Sequence, residues 1–436
     1  MHVDKTTLHD LSIFHHDEEQ SVFHHLNFTH TNGGKEHLRS LLSNPLHSIQ
    51  TIQDVQKTIS ALMNIADQWP ANITNGTLMV IEKFFETPTE PYPRDANYFS
   101  SLYYKIFNNP DYSITKYSVQ HFIEFVKGLQ KITRLIAEPT SVQLDTWKTK
   151  MELFLSKPFI IKMLDTAYGV ELLPAEVLTY ALAIRAIRNT STELMNTYCQ
   201  IDAHLSLAIA SKEFNFNFPI FEEAETPFFE AINLFHVQLA DPISYSIDLN
   251  NKKNFLFLTG ANMAGKSTFI KALGVSVYLA HIGMAVPAKA MRLSLFDGIL
   301  SNIQVTDNVL KGESFFFNEV QRIKSMVEKI SDGKKWLILI DELFKGTNQQ
   351  DAVKCSITVI EGLRKMKNAL FVLSTHLYEI SEQLKRYPNI QFCYFETSVL
   401  NDQLVFSYQL KEGISNDRLG YLILRKEGVV EMLQNL

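Results

Sequence analysis

An apolar run, a glycine loop and a helix-forming stretch follow one another in Phe255-Leu-Phe-Leu-Thr-Gly-Ala-Asn-Met-Ala-Gly-Lys-Ser-Thr268, and few folds accommodate that order. Residues 260 to 267 fit G-x-x-x-x-G-K-[ST], the pattern of a phosphate-binding loop between a strand and a helix. Glycine at both ends lets backbone N–H groups close around phosphate oxygens without a Cβ in the way. The helix that follows adds its positive end. The nine residues Gly260, Ala261, Asn262, Met263, Ala264, Gly265, Lys266, Ser267 and Thr268 are therefore the candidate nucleotide cradle. Lys266 is expected to reach the β- and γ-phosphates and Ser267 to hold Mg²⁺.

Two further apolar runs share this character. Trp336–Ile340 and Ala369–Leu373 are brief and apolar on both faces, like Phe255–Leu258, as central parallel strands are. Helical patterns alternate with them after Asn215, which predicts an α/β domain with helices on both sides of a sheet. Before that point the chain reads mostly as helix. Val119, Phe122, Val126, Leu129 and Ile136 recur at three- and four-residue steps, the signature of a buried helix face. A long helical stretch is expected from about Pro174 to Lys212, and the proline-rich Thr87–Pro93 reads as a loop. The expected division is a helical domain over 1–215 and an α/β domain over 216–436.

The strand ends carry the remaining chemistry. Asp341 and Glu342 close one apolar run, which places two carboxylates at the sheet edge beside the loop. Asp341 is expected to support Mg²⁺ and Glu342 to orient or deprotonate an attacking water. His376 closes the next run in Ser374-Thr-His376, where it can sense a γ-phosphate. Ser314, in Gly312-Glu-Ser-Phe-Phe-Phe-Asn-Glu319, stands at the start of a helix. It is either an N-cap or a group that covers the γ-phosphate of a neighbouring subunit's ATP.

Composition limits the class. With 436 residues, 46% hydrophobic and 20% charged, the chain can bury substantial cores. Its longest uncharged apolar stretch, Ala272 to Ala288, contains His281, Gly283 and Pro287 and falls short of a bilayer span. Three cysteines far apart in sequence give no metal or disulfide spacing, and the reading is a reducing, cytoplasmic setting. The first 250 residues sum to −11 and the remainder to +5, so the N-terminal half is a poor generic surface for nucleic-acid phosphates.

At these motifs the chain resembles the MutS family of DNA mismatch-repair ATPases. Gly260-Ala-Asn-Met-Ala-Gly-Lys-Ser-Thr268 resembles the family's G-P-N-M-G-G-K-S-T, and the internal Asn-Met is far more specific than the general pattern. His281 to Ala288 resembles Q-I-G-x-x-V-P-A. Asp341-Glu-Leu-Phe-Lys-Gly-Thr347 resembles D-E-[IL]-G-R-G-T, and Asp351 matches the aspartate that follows. Leu26 to Leu46 and Ile201 to Ala210 are similar to segments of the family's core and lever region. Three departures stand out. The S-T-F-M signature becomes Ser314-Phe-Phe-Phe317, S-Y-G becomes Asn416-Asp-Arg-Leu-Gly420, and no mismatch-reading module is expected within these residues.

The resemblance implies a helical lever domain followed by an ABC-type P-loop ATPase domain. It also implies ATP hydrolysis with Mg²⁺ at composite sites of a homodimer, and coupling to DNA in mismatch repair or recombination control, with a repair or recombination protein as a further partner. DNA binding is expected to be weak and shape-dependent. A rival of another class is an ATP-gated scaffold that grips a protein. A third reading, a P-loop kinase, is disfavoured by Glu342 directly after Asp341 and by His376.

Overall fold

The computed structural model describes residues 1–93, 95–167, 171–303, 315–400, 403–415 and 429–434. Two compact units emerge. One comprises Leu26–Ser43 and Gln53–Glu213; the other comprises Met1–His25, Asn44–Ile52 and Phe214–Leu436. This division differs from a single boundary near residue 215, because the first 25 residues pack with the α/β unit.

The helical unit is built around long amphipathic segments. Helix Asn109–Leu135 buries Val119, Phe122, Val126 and Leu129 on one face, and Ile136, just past its end, is also buried. The stretch from Pro174 is two helices, Pro174–Ala186 and Arg188–Glu213, with Ile187 between them at φ −109° and ψ 21°. The break falls where Ile187 is followed closely by Asn189, Thr190, Ser191 and Thr192, residue types that gain little from helical backbone. Helix Arg188–Glu213 is buried along most of its length and packs on Asn32–Ser43. Gly34 permits that approach, since a Cβ there would lie 2.1 Å from Asp202 Oδ2. The Asp202 carboxylate, fully buried, accepts from the backbone N–H of His30 and Thr31 and from Thr31 Oγ1.

Charge follows these units and not the halves of the chain. The helical unit holds 17 Lys and Arg against 18 Asp and Glu, a net −1. The acidic excess of the first 250 residues sits mainly in 1–25 and 214–250, which belong to the other unit. The electrostatic objection to nucleic acid on the helical unit therefore falls away.

The α/β unit contains two sheets. Its strands are β1 (His2–Val3), β2 (Ile220–Glu222), β3 (Phe229–Leu234), β4 (Tyr245–Leu249), β5 (Phe255–Thr259), β6 (Ala290–Ser294), β7 (Gly298–Asn302), β8 (Trp336–Asp341), β9 (Ala369–Ser374), β10 (Ile390–Leu400) and β11 (Gln403–Glu412). Seven form a sheet in the order β1-β7-β8-β9-β5-β10-β11, parallel except for the β10–β11 hairpin. The three expected strands are its centre, and every residue of β5, β8 and β9 is buried. The second sheet, β2-β6-β3-β4, was not foreseen from sequence. Its strands are short and half-buried, and β3 carries a register shift between Ala231 and Leu234, which blurs the two-residue alternation.

The N-terminal segment is anchored in the main sheet. β1 pairs with β7, Thr7 Oγ1 accepts from Ser301 N, and buried Asp10 accepts from Ser301 Oγ at 2.6 Å and Ile303 N at 3.0 Å. The three cysteines are free thiols. Among the described residues no helix is long and apolar enough to cross a membrane.

Candidate functional site

Strand register assembles the site. In the parallel sheet Leu258 lies opposite Ser374, and Ser374 lies opposite Asp341. The C-terminal ends of β5, β8 and β9 therefore meet at one edge, where open parallel sheets present their ligand crevice.

The loop leaving β5 takes backbone conformations that its glycines accommodate. Gly260 has φ +139° and Gly265 has φ +105°, and Gly265 caps helix Lys266–Ile282 in the left-handed region. A side chain at 260 would meet Phe395 backbone oxygen at 3.2 Å. Met263 also takes a positive φ and is 76% exposed. Lys266 is buried, and its ammonium donates to Gly260 O at 2.8 Å and Ala261 O at 3.0 Å, across the mouth of the loop. Burial lowers the pKa of this lysine, opposed by the carboxylates of Glu342 and Asp341.

Ser267 and Asp341 come together at this edge. Ser267 Oγ donates to Asp341 Oδ2 at 2.5 Å, and Ser374 Oγ donates to the other carboxylate oxygen. A hydroxyl and a carboxylate are hard oxygen donors, the ligand type that suits Mg²⁺. Glu342, one residue on, has φ +67° and donates its N–H to Ser374 O at 3.0 Å. Its carboxylate lies 3.4 Å from His376 Nδ1 and 3.4 Å from Lys345 Nζ. Burial works to raise the Glu342 pKa, yet His376, Lys345 and Lys266 outweigh it and hold the group down at about 2. The same contact raises the His376 pKa, against partial burial. Glu342 is thus a carboxylate at neutral pH, beside an imidazole whose pKa that carboxylate raises.

Two open spaces flank the loop. One, of about 810 Å³, is bounded by Gly260, Glu342, Lys345, His376 and Thr375. The other, of about 570 Å³, combines Lys266, Ser267 and Thr268 with Leu239, Ile243 and Tyr408 and shares Asn262 and Glu342 with the first.

Sequence reasoning missed several residues here. Ser374 lay within a quoted motif but received no role; its signal was a hydroxyl one register step from Asp341. Lys345 was legible only as a basic residue three positions after Glu342. Glu319 is fully buried and accepts from Lys345 N at 3.3 Å and Gly346 N at 3.4 Å. A glutamate four residues after Phe315 on an amphipathic helix gives no hint of that. His281, in the family-like stretch, is structural: Nδ1 donates to Val277 O, Nε2 accepts from Phe296 N, and burial depresses its pKa to about 4. Ser314 and Asn416–Gly420 lie outside the described residues.

Comparison with known proteins agrees with this geometry. MutS domain V matches residues 256–433. A DNA mismatch repair protein MutS of Thermotoga maritima is 26% identical over 287 residues, which cover 64% of this chain and 35% of that protein. One of Petrotoga mobilis is 28% identical over 240 residues, 54% of this chain and 29% of it. The DNA mismatch repair protein spellchecker 1 of Drosophila melanogaster is 28% identical over 242 residues, 54% of this chain and 26% of it. Over residues 256–433 the chain matches MutS domain V, and it is similar to these DNA mismatch repair proteins. It matches roughly a quarter to a third of the length of these relatives.

Proposed function

We propose that the α/β unit is a Mg²⁺-dependent ATPase of ABC-type P-loop architecture. The observation that carries this reading is the convergence of Lys266, Ser267, Asp341, Glu342 and His376 at one sheet edge, around a loop with the left-handed glycines a phosphate cradle requires.

Backbone N–H groups from Gly260 to Thr268 would bind phosphate oxygens. Lys266 would exchange its two loop carbonyls for the β- and γ-phosphates. The Ser267–Asp341 pair would open to hold Mg²⁺, which would supply charge neutralisation at the phosphates, with Ser374 keeping the Asp341 carboxylate oriented. Glu342, ionised and held between His376 and Lys345, would accept a proton from the attacking water. His376 would face the γ-phosphate, and its protonated form would stabilise the charge that develops there. The apolar side of the second space, Leu239, Ile243 and Tyr408, is the natural seat for the nucleotide base.

The site is open to solvent, and two chains facing each other would close it. We assign Ser314 the role of covering the γ-phosphate from the partner chain, so the working unit is a homodimer. Relatives named as DNA mismatch repair proteins favour coupling of this cycle to DNA, in mismatch repair or recombination control. The near-neutral helical unit is compatible with weak, salt-sensitive contact to branched or distorted duplexes.

Two measurements test the reading. Phosphate release from ATP should require Mg²⁺ and stop with a chelator. Titration of matched, mismatched and branched duplexes at two salt concentrations should give binding that falls steeply with salt and favours branches. No phosphate release with Mg²⁺ refutes the ATPase, and no binding to any duplex at low salt refutes the DNA role.

A further inference from the structure

The segment after Asp341 turns in an unusual way. Glu342 has φ +67° and Phe344 has φ +58°, two left-handed side-chain-bearing residues within three positions. Phe344 stands where the family pattern D-E-[IL]-G-R-G-T has glycine, the residue suited to that backbone. Left-handed backbone at such residues persists only where the surroundings impose it.

Glu342 N–H is held by Ser374 O and Phe344 sits in the core beside β8 and β9, while the residues that follow are held by one helix. Glu319, on helix Phe315–Ile330, is fully buried and accepts the backbone N–H of Lys345 at 3.3 Å and of Gly346 at 3.4 Å. One turn earlier, Phe316 packs its ring against Phe344 with centroids 5.7 Å apart. Phe344 is 4% exposed. Lys345 joins the two ends: its backbone goes to Glu319, and its ammonium goes to Glu342 at 3.4 Å. A buried carboxylate is costly unless its oxygens are satisfied, so Glu319 holds the turn as firmly as the turn holds it. Burial raises the Glu319 pKa, and the amides of Gly346, Lys345 and Phe344 oppose that shift.

We propose that Glu319 is a positioning residue: by gripping the amides of Lys345 and Gly346, it fixes the left-handed turn that aims Glu342, and so ties the placement of helix Phe315–Ile330 to the placement of the hydrolytic carboxylate. This inference rests on the reading of Glu342 as the group that activates water.

The test has two arms on the full chain. The first is hydrogen exchange of the 344–346 amides by mass spectrometry. They should exchange slowly in the wild-type protein and at least about tenfold faster in Glu319→Gln. Exchange in the wild-type chain as fast as in an open loop, or no change in the variant, overturns the grip. The second is single-turnover hydrolysis. Glu319→Gln should slow the chemical step about ten- to hundredfold, with ATP affinity within about twofold and an unchanged midpoint for nucleotide-stabilised unfolding. Adding Glu319→Gln to Glu342→Gln should slow it no further, because a residue that acts through Glu342 has nothing left to aim. A multiplicative loss in the double variant, or a loss that tracks ATP affinity, overturns the positioning role. A wild-type chain that hydrolyses no ATP refutes the ATPase reading, and the exchange arm then decides the grip by itself.

Discussion

Replacing Gly260 by alanine is the sharpest test of the glycine loop as a pre-shaped cradle. The perturbation is a single methyl group. At φ +139° that methyl strains the backbone, at a cost of about 1–3 kcal/mol. It also meets Phe395 O at 3.2 Å, Phe395 Cβ at 3.3 Å and Phe395 N at 3.4 Å. None of these is the free end of a flexible side chain. Phe395 is fully buried and packed edge-on against Phe269 and Tyr245, so it cannot step aside. The loop must therefore either bear the strain, which lowers stability, or relax to another shape, in which case nucleotide binding must restore the original one. At about 1.4 kcal/mol per decade, the second route weakens affinity about 5- to 150-fold. The assay is titration with a fluorescent ATP analogue and Mg²⁺, with denaturant unfolding in parallel. Gly333→Ala is the control, since Gly333 also has a positive φ (+78°) but nothing within 4 Å of its would-be Cβ. It should lose about 1 kcal/mol of stability and bind nucleotide normally. Wild-type affinity together with wild-type stability in Gly260→Ala would refute the reasoning.

Other outcomes follow from the same coordinates. Asp202→Ala leaves the His30 and Thr31 amides without their buried acceptor and should destabilise the helical unit by about 3 kcal/mol, read from urea unfolding; a loss under 1 kcal/mol would contradict this. His30 Nδ1 lies 3.0 Å from Asp202 Oδ1, and the hydrogen bond to that carboxylate raises its pKa above 6.5. A raised histidine pKa gives stability that is full below the unfolded value and fades as pH climbs through the folded value. The gap in melting midpoint between wild type and His30→Ala should accordingly be wider at pH 6 than at pH 8.5, and a gap that grows with pH would be the wrong sign. ATP held by Glu342→Gln should drive the chain from monomer to dimer in sedimentation, whereas a monomer with bound ATP would sink the composite-site proposal.

The centre of the fold was legible because its strands are buried on both faces. Phe255–Leu258, Trp336–Ile340 and Ala369–Leu373 carry unbroken apolar side chains, and each extends by one residue in the structure. Asp341 was legible as the end of an apolar strand and Ser267 as the last position of the loop pattern; their 2.5 Å contact comes from the pairing of β8 and β9 beside β5. Other features depend on distant partners. The first 25 residues read as helix like their neighbours, yet Asp10 is committed to Ser301 and Ile303 nearly three hundred positions away. The second sheet gave a weaker signal because its strands are only half-buried and β3 slips register. Nothing in the sequence marks Glu319, and only tertiary packing shows that its face meets the turn after Glu342.

The most direct test of the central claim compares Glu342→Gln with Lys266→Ala, in ATP binding and in phosphate release. Glu342→Gln keeps the shape of the side chain and removes the carboxylate held by His376 and Lys345. It should bind MgATP within a few-fold of wild type and release phosphate about 10²–10⁴-fold more slowly. Lys266→Ala removes the buried ammonium at the mouth of the loop and should lose binding itself. Phosphate release near the wild-type rate from Glu342→Gln, or undiminished ATP affinity in Lys266→Ala, would contradict the account.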